Sequence, residues 1–244
     1  MNTANVTFNR PPLWKYIEPI VPAVQALPRW YKDMKPHAEG VLPSEKHNDG
    51  TVKACPAAFD SMSLGYIMPL WADLYVEPGE DGVPNFSWNK GVASGEGLPL
   101  MQRFDLAATE GMPHADKTGM PAFKIDSPWI ITTPPGYSIL FVAPLNNRDI
   151  MFECIAGVVH TDVFTTYMNL PFLWTGPTDF RGIIKQGTPL VQMIPIKREK
   201  IEHEIGFIDS EQDEERNACK HAATVSFTGG YRQVCRQLTT DIQG

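Results

Sequence analysis

Proline and glycine are the residues that most constrain this fold, because they recur along the whole chain. The 244 residues include 22 prolines and 19 glycines. Proline lacks a backbone donor and interrupts helices, while glycine marks turns, so this spacing leaves little room for long helices. The pattern predicts many short segments and therefore an all-β architecture.

Apolar runs bounded by turns are densest between residues 127 and 198. The run YSILFVAP follows the turn sequence TPPG and is apolar in both phases of alternation, which is typical of a strand buried on both faces. Further strands are predicted in CIAGVVHTDVF, in LPFLW and on both sides of a turn at KQGT. Together they predict a compact sandwich or barrel in which Phe141 is buried on a central strand.

The composition changes along the chain and predicts three regions. Residues 1–50 are rich in proline and predict an irregular N-terminal arm, packed on its own subunit or exchanged with another. Residues 51–198 form the β-rich core, with one or two strands in 51–76 and a loop-rich insertion at 78–127. Residues 199–244 are charged and predict a helical C-terminal appendage.

Charge and hydropathy exclude several classes of protein. The net charge is −7, and the basic residues do not cluster, so a nucleic-acid-binding surface is not expected. No apolar stretch of about 18 residues is present, so we expect no membrane span. Four cysteines lie outside any CxxC spacing and are expected to be free thiols: Cys55, Cys154, Cys219 and Cys235. The sequence predicts a cytoplasmic protein.

The order of segments in residues 134–198 resembles the conserved core of the dUTP pyrophosphatase and dCTP deaminase superfamily. The similar segments are Pro134–Tyr137, Ala143–Asn147, Gly157–Asp162 and Gly187–Met193. The sequence pattern GTP..Q.IP.KRE also resembles that of a group of bacterial and tailed-phage proteins that has no assigned activity. The resemblance implies an all-β, dUTP pyrophosphatase-like β-clip core, a homotrimer with sites between subunits, and a phage-related setting. For a phage-encoded chain, the expected location is the host cytoplasm or the virion.

The same resemblance implies a set of ligand-binding residues. Asn146 falls near the phosphate-binding serine of the family, and Arg148 is a substitute for the neighbouring arginine. Gln192 falls where the family has a glutamine near the phosphates, although a glutamine between apolar strand residues also serves as a partner for backbone groups. Tyr231, in TGGY, corresponds to the base-stacking aromatic of the C-terminal arm.

The catalytic aspartate of the family falls on His160, with Asp162 two residues later. Histidine accepts a proton near neutral pH, so the resemblance allows a diverged nucleotide diphosphohydrolase that uses Mg²⁺. Asp162 has a second interpretation, in which its side chain closes a hairpin by bonding to the backbone.

His160 also belongs to a second pattern. His160 and Asp162, with His221 and Arg232 downstream, resemble the HxD…H…R arrangement of dioxygenases that use Fe²⁺ and 2-oxoglutarate. Two imidazoles and a carboxylate on one face of the metal leave positions open for oxidant and substrate. His203 is an alternative distal ligand.

The departures from the family pattern favour a non-catalytic function over either enzyme. The sequence therefore predicts a β-clip scaffold or a protein that binds a small molecule or nucleotide, without a cofactor. The alternatives are the nucleotide diphosphohydrolase with Mg²⁺ and, after it, the dioxygenase with Fe²⁺ and 2-oxoglutarate. Fold alone does not decide among these functions.

Overall fold

The computed structural model describes residues 5–40, 50–89, 101–104, 106–113 and 119–225. Within these residues the secondary structure is mostly β, which confirms the predicted class. The strands are β1 (Thr7–Asn9), β2 (Val21–Pro22), β3 (Tyr66–Pro69), β4 (Leu74–Glu77), β5 (Asn85–Trp88), β6 (Met101–Arg103), β7 (Phe123–Asp126), β8 (Ile130–Thr132), β9 (Tyr137–Val142), β10 (Phe152–Cys154), β11 (Gly157–Val159), β12 (Asn169–Trp174), β13 (Gly182–Ile184) and β14 (Pro189–Lys197). The α-helices are α1 (Arg29–Asp33), α2 (Pro56–Ser63) and α3 (Ser210–Val225).

The strands form antiparallel sheets whose order does not follow the chain. The largest sheet has the order β11-β9-β14-β3-β2, and a four-stranded sheet has the order β10-β12-β7-β6. The smaller sheets are β13-β4-β5 and β1-β8. Closure into a sandwich or barrel stays a prediction.

Two glycine turns set the ends of the central strands. The Tyr137 N–H donates to the Pro134 carbonyl over 3.1 Å, and Gly136 has a φ of 83°. The Thr188 N–H donates to the Lys185 carbonyl in the same way, with Gly187 at a φ of 85°. Positive φ at the third residue is the requirement of a type II turn, which glycine meets without strain. Both predicted turns are confirmed.

The chain divides into two compact units. The first contains Met1–Pro28 and Ser61–Glu199, and the second contains Arg29–Asp60 and Lys200–Gly244.

The hydrophobic core of the first unit includes residues of the predicted arm. Trp14 and Ile17 are buried, and Trp14 packs edge-on against Trp71 with 5.1 Å between ring centroids. Phe141 is 3% exposed on β9, between β11 and β14, so its predicted burial on a central strand is confirmed.

Two segments differ from their predicted conformation. Residues 52–54 form a 3₁₀ turn and α2 follows, where a strand was expected from the apolar residues. Pro56 occupies the first position of α2, where its missing N–H costs nothing. The predicted loop-rich region 78–127 contributes β5, β6 and β7, which pair within the three-stranded and four-stranded sheets.

The second unit contains the C-terminal helix α3. The Gln212 N–H donates to Asp209 Oδ1 over 2.9 Å, and the Asp209 N–H donates to Gln212 Oε1 over 3.1 Å. This reciprocal pair is a capping box, and it explains why the helix begins at Ser210. Residues 226–244, including Tyr231, lie outside the described residues.

Two further expectations concern membranes and thiols. No helix in the described ranges has the length and apolar character needed to cross a bilayer. Cys55, Cys154 and Cys219 are free, as predicted, and Cys235 lies outside the described residues.

Candidate functional site

A salt bridge between Arg198 and Asp162 lies at one end of the β9–β14 pair. β14 ends at Lys197 opposite Tyr137, so the next residue, Arg198, lies beside the Gly136 turn. The Arg198 N–H donates to the Gly136 carbonyl over 2.8 Å. Its guanidinium donates to both carboxylate oxygens of Asp162, with 2.9 Å from Nη1 to Oδ1. The Gly136 N–H adds a third bond, to Oδ2, over 2.9 Å.

These bonds fix the charge state of Asp162. The Arg198 guanidinium, followed by the Gly136 amide, lowers the pKa of Asp162 to about 2. The side chain is 9% exposed, and hydrogen bonds to the charged form favour ionisation. Asp162 therefore stays a carboxylate at neutral pH, and its oxygens hold the turn through the backbone, as in the second interpretation of this residue.

His160 is connected to this salt bridge through Ser138. Ser138 is fully buried, and its Oγ lies 2.8 Å from His160 Nδ1. Arg198 Nη1 donates to Ser138 Oγ over 2.7 Å and lies 3.4 Å from His160 Nδ1. A hydroxyl has one hydrogen to donate. Since Ser138 accepts from Arg198, its hydrogen is free to point at the imidazole.

The contacts assign the tautomer of the neutral imidazole. With Nδ1 as acceptor, Ser138 donates to it, and the hydroxyl of Ser138 both accepts from Arg198 and donates to His160. With a proton on Nδ1, the ring would face the donor Nη1 of Arg198, and the buried Ser138 hydrogen would lose its acceptor, which is costly. The hydrogen bond from Ser138 to Nδ1 therefore favours the tautomer with its proton on Nε2.

This tautomer bears on both enzymatic interpretations. A general base at Nε2 needs a free lone pair there, and so does a metal ligand. The described residues hold no group of three or more His, Cys, Asp or Glu side chains placed for a metal ion. The iron site of His160, Asp162 and His221 therefore remains a prediction, with no support from the part of the chain that is described.

Gln192 lies at the other end of the same strand pair and is 1% exposed. Its Oε1 accepts from the Leu145 N–H over 2.9 Å. Its Nε2 donates to the carbonyls of Ser61 and Leu64 over 2.9 and 2.7 Å. The amide is thus used by three backbone groups, which matches the structural alternative predicted for this residue.

Leu145 begins a polar loop that lines an open cavity. The cavity has a volume of about 470 Å³ and is formed by residues 143–153 together with Thr175–Pro177. Asn146 has a φ of 58°, and its Nδ2 donates to Ser61 Oγ over 3.2 Å. Arg148 and Asp149 are exposed at this loop.

The predicted site residues therefore fall into two groups. Ser138 pairs with Ile196, whereas Gln192 pairs with Val142, four residues further along β9. Four residues of strand span roughly 13 Å. Within one chain, His160 and Asp162 therefore lie toward the opposite end of the β9–β14 pair from Gln192 and its loop. Tyr231 lies outside the described residues.

Sequence reasoning missed Arg198 and Ser138. Both belong to segments that the sequence singled out, KRE and YSILFVAP, but neither has a spacing that indicates their contact. The antiparallel register of β9 and β14 brings them together. The available signal for Arg198 was its position directly after β14, the strand that pairs with the strand beginning at PPGY.

Comparison with known proteins gives a distant structural likeness. No protein-family model matches the chain, and no curated protein matches it. A dUTPase from phage phi11 of S. aureus aligns with a TM-score of 0.32 and 9% identity, covering 72% of this chain and 96% of that chain. A dUTPase from Staphylococcus bacteriophage 80alpha, with dUpNHpp, aligns with a TM-score of 0.33 and 9% identity, covering 86% and 91%. A likeness at this level does not indicate a function.

Proposed function

We propose that this chain is a non-catalytic module that binds a small polar molecule in the cavity of residues 143–153. The observation that carries the proposal is that the buried Gln192 amide accepts from the Leu145 N–H of this loop and donates to the Ser61 carbonyl. These bonds fix the start of the loop. A ligand site benefits from a loop that is ordered before the ligand arrives, since less entropy is lost on binding.

Loop geometry leaves the polar ends of several side chains around the cavity. The Asn147 N–H donates to the Pro144 carbonyl over 3.1 Å, which closes a turn at the start of the loop. Arg148 has no ion-pair partner among the described residues, so its guanidinium can donate to a ligand. The volume of about 470 Å³ lies within the range of small-molecule sites.

Charge narrows the class of ligand. Arg148 is accompanied by Asp149 and Glu153 in the lining of the cavity. One cation beside two carboxylates disfavours a polyphosphate, which needs several positive groups or metal ions to balance its charge. Amide and guanidinium donors suit the carbonyl groups of a neutral heterocycle, so a nucleoside fits this cavity better than a nucleoside triphosphate.

The absence of catalysis in this proposal is supported by the other group of residues. The carboxylate of Asp162 is paired with the Arg198 guanidinium, and His160 Nδ1 lies within hydrogen-bond distance of Ser138 Oγ. A general base would have to be rebuilt by breaking the bond between Ser138 and His160. The proposal therefore gives these residues a role in holding the β9 turn.

Calorimetric titration of the purified protein with nucleosides and their triphosphates, with and without Mg²⁺, tests the proposal. We expect saturable binding of a nucleoside that is at least as tight as binding of its triphosphate. Arg148→Ala should weaken it about tenfold or more, the value of a hydrogen bond to a charged group. Arg181→Ala is the matched control, because Arg181 is an exposed arginine that directly precedes β13 and pairs with Glu77.

The contrary outcomes are distinct. Absence of any binding to the panel would remove the small-molecule function. Mg²⁺-dependent release of pyrophosphate from a nucleoside triphosphate, lost in His160→Ala and retained in Arg181→Ala, would establish the diphosphohydrolase instead. Iron-dependent thermal stabilisation lost in the same His160 variant would establish the metal site.

A further inference from the structure

One face of the three-stranded sheet β13-β4-β5 carries an exposed aromatic side chain at its centre. Alternation along β4 buries Leu74 and Val76 and leaves Tyr75 between them 45% exposed. The antiparallel registers place Tyr75 between Ile183 of β13 and Ser87 of β5, which are also exposed. The centre of this face is therefore a row of one aliphatic, one aromatic and one hydroxyl side chain.

Two ion pairs flank this central row. Arg181 Nη1 donates to Glu77 Oε2 over 2.9 Å, and Lys185 Nζ donates to Asp73 Oδ2 over 2.9 Å. Asp73 and Glu77 are two residues before and after Tyr75, so each pair lies roughly 7 Å from the row. Exposed ion pairs contribute little to stability. What they provide here is a set of donors and acceptors without a net charge.

A depression of about 350 Å³ lies over this face. It is lined by residues 75–77, Ser87 and residues 181–183. Its volume lies within the range of small-molecule sites. It shares no lining residue with the cavity of residues 143–153. The depression is therefore a second candidate site, and it does not depend on the function proposed for the first.

We propose that this face binds a neutral oligosaccharide. One side of a pyranose ring presents C–H groups, which pack against the flat face of an aromatic ring such as that of Tyr75. Each sugar hydroxyl both donates and accepts hydrogen bonds. The Arg181 guanidinium has several N–H donors and the Glu77 carboxylate has two acceptor oxygens, and the bond between them uses one N–H and one oxygen. The remaining groups bond to neighbouring hydroxyls of one sugar ring.

Charge and shape disfavour other classes of ligand. A phosphate or an acidic sugar would bring an unbalanced negative charge next to Asp73 and Glu77, whereas a neutral sugar would not. A peptide that adds a strand would bond to the backbone edge of β13 or β5 and not to the side chains of this face. From Asp73 to Glu77 the face extends over roughly 13 Å of strand, which accommodates more than one sugar ring.

Calorimetric titration of the purified chain with cellotetraose, maltotetraose and chitotetraose tests the proposal, with tetragalacturonate as the anionic comparison. We expect at least one neutral tetrasaccharide to bind saturably and more tightly than tetragalacturonate. Tyr75→Ala should weaken this binding about tenfold or more, whereas Tyr75→Phe, which keeps the ring, should stay within about fivefold of the wild type. Tyr16→Ala, at an exposed tyrosine outside the sheet, is the matched control and should not change the affinity.

Arg181→Ala separates this site from the nucleoside cavity. It should weaken saccharide binding about threefold or more. It should leave nucleoside binding unchanged, because the two cavities share no lining residue. Arg148→Ala should have the reverse effect. Loss of saccharide binding in Arg148→Ala, with full affinity in Arg181→Ala, would assign the sugar to the other cavity and overturn the proposal.

Nuclear magnetic resonance locates the sugar without any substitution. Backbone amide signals of residues 75–77 and 181–183 should shift on titration with the neutral tetrasaccharide that binds. Shifts confined to residues outside the three-stranded sheet would overturn the proposal, and so would equal losses of affinity in Tyr75→Ala and Tyr16→Ala. The proposal also fails if none of the three neutral tetrasaccharides binds saturably, or if tetragalacturonate binds more tightly than all of them.

Discussion

Polar side chains are buried within the β9–β14 strand pair but exposed on the loop beside it. Gln192 and Ser138 are fully buried, and their polar atoms contact groups of the same chain. Arg148 and Asp149, on the loop that Gln192 supports, are exposed at a cavity. A buried polar group must find a partner within the protein, because an unpaired one is costly.

The comparison shows why residue type alone does not identify a site. Gln192 and Asn146 are both amides within residues similar to the dUTP pyrophosphatase core, yet Gln192 binds three backbone groups and Asn146 is exposed. Burial, and not residue type, separates an amide whose polar atoms all contact the interior of the protein from an amide at the surface of the loop.

Phe141→Ala should have the largest effect, because this side chain is buried on β9, the strand that carries Ser138 and pairs with the strand of Gln192. Loss of burial and the cavity left behind should lower the free energy of unfolding by about 3–5 kcal/mol. Urea denaturation measures the change. Phe164→Ala, at a half-exposed aromatic, should cost much less. Equal midpoints for Phe141→Ala and the wild type would show that β9 does not lie in the core.

Gln192→Leu tests directly whether the buried amide supports the loop. The substitution leaves the Leu145 N–H and the carbonyls of Ser61 and Leu64 without their partner, at about 2–4 kcal/mol in total. Hydrogen exchange should accelerate at Leu145.

Asn146→Gly is the contrasting variant, because glycine accepts the φ of 58° at this position. We expect its unfolding free energy to change by less than about 1 kcal/mol. If the two variants are equally stable, the amide of Gln192 is not what orders the loop.

Local sequence signals account for the parts of the fold that could be predicted. The turns at Gly136 and Gly187 follow from proline and glycine chemistry, and the burial of Phe141 follows from the apolar run around it. The helix α2 was not predicted, because it is short and begins with an apolar run. Periodicity does not separate such a short helix from a strand.

The candidate site depended more on pairing between distant segments. Arg198 meets Asp162 and Ser138 only because β14 pairs with β9 in one register, and a shift of one residue would turn each side chain to the other face. The sequence indicated His160 and Asp162 as neighbours but not the arginine that fixes the charge of Asp162. The tautomer of His160 follows from that arginine and so could not be inferred either.

Asp162→Asn should change how stability depends on pH. The folded pKa of Asp162, about 2, lies below the ordinary value of 3.8. Its contribution is therefore present above pH 3.8 and is lost as the pH falls toward 2. We expect Asp162→Asn to be less stable than the wild type at neutral pH, with the difference shrinking on acidification.

Urea midpoints measured between pH 6 and pH 2 would show this convergence. Asp179→Asn, at an exposed carboxylate, should run parallel to the wild type across the range. A constant difference between Asp162→Asn and the wild type would mean that the carboxylate acts through packing and not through its charge.

Asp126→Asn should have the smallest effect and the opposite sign. Asp126 is buried on β7, and this burial raises its pKa, although Lys124 and the bond from Gln102 Nε2 to Oδ2, at 2.9 Å, act against the rise. A raised folded pKa means that the group's contribution is fully present below pH 3.8 and is lost as the pH rises through the folded pKa. At neutral pH the ionised carboxylate therefore lowers stability, and asparagine keeps the acceptor for Gln102 without the charge. We expect thermal denaturation at pH 7 to show a modest increase in Tm for Asp126→Asn, which disappears near pH 3. A lower Tm at pH 7 would show that the charge of Asp126 stabilises the sheet, as the charge of Asp162 stabilises the turn.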